Sequence, residues 1–222
     1  MKYFINLIVL LLFACGTESN MQNSSLSYLA LGDSYTIGER VAEDQRWPVQ
    51  LATKMKENGV NVRKPKIVAT TGWRTDQLKE AIESSPLGST YDMVSLLIGV
   101  NNQYQGRSVE SFAPEFEELL QIAISKAGGE KDHVFVLSIP DYGKTPFGSA
   151  KEEQIGKELD AYNAISKEIC DRYEVDYYDI TPISREAKDD PELIAEDNLH
   201  PSGKMYKRWV QLIYQDIITK MK

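Results

Sequence analysis

The chain has only two cysteines and two histidines in 222 residues. Cys15 stands near the N-terminus, and Cys170 falls inside a helical pattern, Ile165-x-x-x-Ile169-Cys170-x-x-Tyr173. An intramolecular disulfide is not expected, and Cys170 reads as a small buried hydrophobe. His133 and His200 fall at opposite ends of the expected sheet, so metal-assisted hydrolysis has no ligand cluster to rest on. Positive charge is also scarce. Against 25 Lys and Arg stand 33 Asp and Glu, a formal net charge of -8. A nucleic-acid partner would find no electrostatic footprint. The first loop has no Gly-x-x-x-x-Gly-Lys-[Ser/Thr], which weakens a phosphate-binding module.

A long hydrophobic run is missing too. Tyr3 to Phe13 is apolar apart from Asn6. That is too short for a spanning helix, which needs about 20 apolar residues. Preceded by Lys2, it suits a secretory signal. It ends Leu12-Phe13-Ala14-Cys15, which resembles the lipobox of bacterial lipoproteins. The resemblance implies a signal peptide over 1–14, lipidation of Cys15, and a cell-envelope location with the lipid as the only membrane anchor. An ordinary signal peptide with an incidental cysteine is the alternative. Residues 15–25 are polar and aperiodic. They read as the lipidated cysteine plus a tether of roughly 18 Å reach. The remaining 26–222 reads as one domain, without repeat or second linker.

In that domain, short apolar runs alternate with amphipathic stretches. Strands are expected at Tyr28–Leu31, Lys66–Thr70, Met93–Ile98, Val134–Ile139 and Val175–Ile180. Helices are expected at about Trp47–Asn58, after Thr75 as cap, and at Val109–Lys126, Glu152–Tyr173 and Ser202–Lys220. Such alternation means parallel strands joined by crossover helices. Strands one, three and four are nearly all apolar, as strands covered on both faces should be. Strands two and five suit edges. The expected fold class is a three-layer α/β/α sandwich with a five-stranded parallel sheet in the order 2-1-3-4-5.

In this topology the C-terminal ends of the strands share one rim, where open α/β sheets bind ligands. Strand one delivers Gly32-Asp33-Ser34-Tyr35, strand two Thr71-Gly72-Trp73, and strand three Gly99-Val100-Asn101-Asn102. Before the last helix stands Asp197-Asn198-Leu199-His200-Pro201. Each segment alone reads as a polar turn. Together they supply a reaction. A serine hydroxyl needs a nearby base, and His200 is the one plausible base. Asp197, three residues earlier, can accept the Nδ1–H and hold the tautomer. Its other reading is a turn residue in a loop that enters a helix at Pro201. An ester carbonyl under attack needs preplaced donors. The backbone N–H of Ser34, the backbone N–H of Gly72 and the Asn101 amide are candidates, with glycine expected to allow close backbone approach.

These blocks, in this order and over the whole of 26–222, resemble the SGNH hydrolases, also called GDSL esterases and lipases. The resemblance implies Ser34 as nucleophile and Ser34, Gly72 and Asn101 as oxyanion donors. It implies His200 as base and Asp197 as its partner. It also implies a flavodoxin-like sandwich that works without metal or cofactor. Two positions depart from the family. Tyr35 replaces the usual leucine, and Asn102 replaces the usual aspartate of Gly-x-Asn-Asp. The expected activity is a serine esterase acting on acyl or acetyl esters, its partner a small ester or an acylated glycan or lipid. The alternatives are an acyltransferase of the same fold and a catalytically silent glycan- or lipid-binding lipoprotein. The loop Pro140–Phe147 is expected to reach the same rim, and no long apolar insertion is present to serve as a lid.

Overall fold

The computed structural model describes residues 25–222. The expected signal segment, Cys15 and nearly all of the tether lie outside the described residues. Five parallel strands, β1 (Tyr28–Gly32), β2 (Lys66–Ala69), β3 (Met93–Leu97), β4 (Val134–Leu137) and β5 (Asp176–Tyr178), form one sheet in the order β2-β1-β3-β4-β5. The expected order holds. β1 pairs with β3 from Tyr28–Met93 to Gly32–Leu97, and with β2 from Leu29–Lys66 to Gly32–Ala69. Every residue of β1, β3 and β4 is buried, as strands covered on both faces require. The polar exception in β3 is Ser95, whose hydroxyl pairs with the Tyr28 phenol at 2.8 Å. β2 and β5 are the edges, and their burial is incomplete.

Helices α2 (Trp47–Glu57) and α8 (Gly203–Lys220) pack on each other over one face of the sheet. Helices α3 (Thr75–Ser84), α5 (Val109–Lys126) and α6 (Glu152–Tyr173) pack in sequence over the other. Each large helix turns one stripe inward. Phe112, Phe116, Leu119 and Ala123 are buried on α5, and Tyr206, Trp209, Ile213 and Ile217 on α8. Phe112 is wedged between Phe116 and Tyr162, with centroids at 5.4 and 4.5 Å. Truncating such a ring to alanine costs about 3–5 kcal/mol. Three short helices follow strands, α1 (Ser34–Ile37), α4 (Val100–Tyr104) and α7 (Thr181–Arg185). Among the described residues no helix is long and apolar enough to cross a membrane. Cys170 is buried, and burial pushes its thiol up to about 12.

Local expectations need correction at several points. Thr75 is not a cap. Arg74 holds that position, and Thr75 opens α3 with its hydroxyl bonded to Glu115. Pro201 does not begin the last helix. It bridges back to Ile194, and Ser202 caps α8 by accepting the Met205 N–H at 3.3 Å. Asn101-Asn102 sits in α4 rather than in an open loop. The sheet strands end one or two residues earlier than their apolar runs, except β1, which takes in Gly32. The runs outlast the ladder because Ile98, Ile139 and Ile180 continue the core past the last strand pairing.

Candidate active site

Strand order reverses between β1 and β3, and the crevice opens there. Ser34 and Asn101 flank it, each in the short helix that follows its strand. A cavity of about 190 Å³ occupies this place. Ser34, Gly72, Asn101 and His200 all line it, together with Tyr35 and Leu199. The four segments therefore meet, although up to 166 positions, from Ser34 to His200, separate them in the chain.

Gly32 is needed for space rather than for a turn. It is the last residue of β1, and a Cβ there would overlap Thr36 Oγ1 and the Leu97 carbonyl oxygen. Its absence lets the chain bend into α1 against β3. Asp33 caps α1, accepting the Tyr35 N–H at 3.0 Å, and is fully buried. Its second oxygen, Oδ2, has no partner in the protein. Burial pushes this carboxyl up to about 7, against the pull of the backbone N–H groups.

Gly72 works the other way. Nothing lies within 4 Å of the place a Cβ would occupy, and φ is +87°. The expected close approach is therefore not its reason. The glycine serves a left-handed backbone that side chains resist. Among the described residues, neither the Ser34 nor the Gly72 backbone N–H has a hydrogen-bond partner. Asn101 Nδ2 donates to the Trp73 carbonyl at 2.9 Å, which leaves one amide hydrogen over. Beside it Asn102 is fully buried. Its Oδ1 accepts the Thr75 N–H at 3.1 Å, and its Nδ2 reaches Thr75 Oγ1 at 2.6 Å. A neutral amide thus braces α4 against the start of α3, with no carboxylate at position 102.

Asp197 has both roles that its position allowed. Oδ1 accepts the backbone N–H of Leu199 and of His200, each at 3.0 Å. Oδ2 meets His200 Nδ1 at 2.6 Å. Asn198 between them takes φ +61°, a left-handed residue that asparagine tolerates. Burial works against the Asp197 carboxylate, but the ring and the two backbone donors outweigh it and hold it below the usual carboxylate range. Tyr35 packs edge-on to the His200 ring, centroids 5.9 Å apart. The departure from leucine thus places an aromatic wall beside the imidazole. The Ser34 hydroxyl and the His200 ring face one cavity but are not hydrogen-bonded to each other. Such contacts in ligand-free sites often tighten only with substrate.

The GDSL-like lipase/acylhydrolase family model matches residues 30–208, which spans every segment of this cavity. The chain belongs to that family. No curated protein matches the chain. Solved structures share the fold at low identity. A lipase/acylhydrolase from Enterococcus faecalis is 17% identical, with TM-score 0.69 over 89% of this chain and 97% of that one. A GDSL-family lipolytic protein from Veillonella parvula is 14% identical, with TM-score 0.68 over 86% and 97%. An acetylxylan esterase from Geobacillus stearothermophilus is 17% identical, with TM-score 0.62 over 90% and 96%.

For a GDSL-like chain, several site neighbours had no motif to betray them. Glu39 accepts the Thr71 hydroxyl at 2.5 Å and ties the Ser34 segment to the Gly72 segment. Arg40, left-handed at φ +66°, brings its Nε to 3.8 Å from Asp197 Oδ2. It is about half exposed, so its charge is weakly felt. Tyr104, Tyr142 and Phe147 line the cavity at its mouth, from α4 and from the loop after β4. His133 lies just before β4, at the opposite rim, as expected. Among the described residues no three His, Cys, Asp or Glu side chains gather as a metal site would require.

Proposed function

We propose that this protein is a serine esterase that removes short acyl groups through an acyl-enzyme. The reading is carried by one observation: Ser34, Gly72, Asn101 and His200 line one cavity of about 190 Å³, with Asp197 bonded to the far side of the imidazole. In the proposed reaction the Asp197 carboxylate holds the hydrogen on Nδ1, leaving Nε2 free to accept. Nε2 takes the Ser34 proton as Oγ attacks the ester carbon. The carbonyl oxygen becomes an oxyanion, met by the Ser34 N–H, the Gly72 N–H and the spare Asn101 hydrogen. His200 returns the proton to the leaving alcohol oxygen, and the acyl group stays on Ser34. Water then repeats the sequence and frees the acid.

The cavity size argues for a short acyl group. An apolar space of 150 Å³ holds one benzene. At 190 Å³ the space suits acetyl to butyryl better than a fatty chain. The test is a panel of 4-nitrophenyl esters from C2 to C12, with fluorophosphonate labelling read by mass. Turnover should be highest at C2–C4, with a single adduct on Ser34. An adduct elsewhere, or none, would remove the serine mechanism.

The mature protein is further proposed as a lipoprotein of the cell envelope, held by Cys15. The support is the segment Leu12-Phe13-Ala14-Cys15 after an apolar run. Cys15→Ser should release the processed protein from membranes with its esterase activity intact. Continued membrane association of the processed variant would refute the anchor.

A further inference from the structure

The cavity at Ser34 does not end in a wall. Tyr104, Tyr142 and Phe147 form a triangle of rings at its mouth, with centroids 6.1, 6.2 and 6.3 Å apart. Tyr142 is buried at the base. Tyr104 is 59% and Phe147 51% exposed, and only Leu212 joins them as an exposed large hydrophobic residue among the described ones. Two large rings left side by side in water forgo about 25 cal/mol for each Å² that packing would cover. Such a patch at a cleft marks a binding surface.

Beyond the triangle lies a second cavity, of about 440 Å³. It shares all three rings with the first, and its other lining includes Lys151, Gln154 and Glu158. Its floor is organised. Gln103 Nε2 donates to Glu158 Oε2 at 2.6 Å, and Gln154 Nε2 donates to Glu158 Oε1 at 2.9 Å. The two amides hold the Glu158 carboxyl below its usual range. Lys151 is exposed and forms no salt bridge among the described residues. The Phe147 N–H also donates to the Asn198 carbonyl at 3.1 Å. The ring shelf is thereby tied to the turn that carries Asp197 and His200.

We infer that this second cavity is the leaving-group subsite, and that it takes a saccharide: the ester cleaved is a short acyl group on a sugar hydroxyl, with the adjoining sugar seated on the rings. This rests on the esterase reading above. A pyranose has an apolar C–H face and a hydroxylated rim. The ring shelf suits the face. A clamped carboxylate, an amide and an ammonium suit the rim. A fatty alcohol would instead strip water from these charged groups and give nothing back. An anionic leaving group would meet Glu158. In the step itself the bond from carbonyl carbon to sugar oxygen breaks. That oxygen takes the proton held by His200, and the acyl group remains on Ser34.

The test has a kinetic arm and a binding arm. The first measures kcat/KM on O-acetylated cello-oligosaccharides of one to four units, on 4-nitrophenyl acetate and on micellar dibutyrylglycerol. Wild type should gain about tenfold from one unit to three, mostly through KM. Phe147→Ala should lose about five- to tenfold of the saccharide-to-aryl-ester ratio, the size expected of one aromatic contact, and the double variant Lys151→Ala/Gln154→Ala should lose about as much through two hydrogen bonds to the hydroxylated rim. These side chains lie at the surface, so folding is spared. The second arm titrates cellotetraose into Ser34→Ala by calorimetry and repeats it with Phe147→Ala added. Binding weakened by the second substitution supports the subsite even if fluorophosphonate never labels Ser34, in which case only the esterase reading falls. Kinetics independent of chain length, with 4-nitrophenyl acetate still cleaved, would overturn the subsite and leave the esterase. Faster cleavage of dibutyrylglycerol than of any saccharide would overturn it in favour of lipid.

Discussion

Asp197→Asn tests the His200 arrangement most sharply, because the structure fixes what an amide can do there. The side chain serves three donors, the Leu199 and His200 N–H on Oδ1 and the ring Nδ1 on Oδ2. An asparagine has one oxygen. With that oxygen at the Oδ1 place, both backbone donors keep their acceptor. The NH₂ then faces Nδ1, which must accept, and the ring hydrogen moves to Nε2. In that state the ring cannot take the Ser34 proton. With the oxygen at the Oδ2 place, the ring is correct but two backbone N–H groups face an NH₂. Leaving a donor unpaired costs about 1–3 kcal/mol, so the correct ring is disfavoured by about 2–6 kcal/mol in total. At 1.4 kcal/mol per factor of ten, kcat should fall by about 30-fold at least and 10⁴-fold at most. Folding should survive, since the favoured orientation keeps the turn. The assay is kcat/KM for 4-nitrophenyl acetate from pH 5 to 9, with circular dichroism at each pH. Asp197 is held below the usual carboxylate range, so in wild type it stays charged across this span. A folded variant within threefold of wild type at every pH would refute the reasoning and leave Asp197 a turn residue only.

Asn101→Ala should lower kcat by about 10²–10³ with slow fluorophosphonate labelling retained, and a change in KM alone would make Asn101 a binding residue. Gly32→Ala and Gly72→Ala should part company. The first meets Thr36 and a carbonyl oxygen and should cost at least about 1–3 kcal/mol of stability by thermal melting, whereas the second has open space and should cost about 1–2 kcal/mol of strain but re-aim the N–H and cut kcat more than tenfold. Wild-type kcat in Gly72→Ala would take that N–H out of the site. Asp33→Asn tests burial. Asp33 is raised to about 7 in the fold against about 3.9 unfolded, so between those pH values the folded state holds a proton that the unfolded state has lost. Its stabilising share is full below pH 4 and is lost as pH rises through 7, by about 1.4 kcal/mol per unit at most. The variant should therefore gain on wild type between pH 4 and 7 in melting temperature, and a constant difference would refute the shift.

Much of this protein is written in local sequence. The run Tyr28–Leu31, the stripe through Phe112, Phe116 and Leu119, and the stripe through Tyr206, Trp209 and Ile213 each declare an element, because side-chain periodicity and burial share one geometry. Strand order followed as well, since apolar content separates central strands from edges and parallel strands must cross over. Ser34, Gly72, Asn101, Asp197 and His200 were legible as short blocks, and topology sent them to one rim. What local pattern does not encode is distance between blocks. Glu39 meets Thr71, and Arg40 meets Asp197, through turns whose residues carry no motif. Gly32 and Gly72 look alike in sequence, yet one is there for a carbonyl 65 residues away and the other for its own φ. The buried Asp33, the Asn102–Thr75 brace and the ring shelf of Tyr104, Tyr142 and Phe147 likewise exist only once packing has chosen neighbours. Periodicity is a property of consecutive residues. Solvent exclusion, orphaned polar atoms and the shape of a leaving-group cavity belong to pairs that the chain brings together only by folding, and those the tertiary structure alone decided.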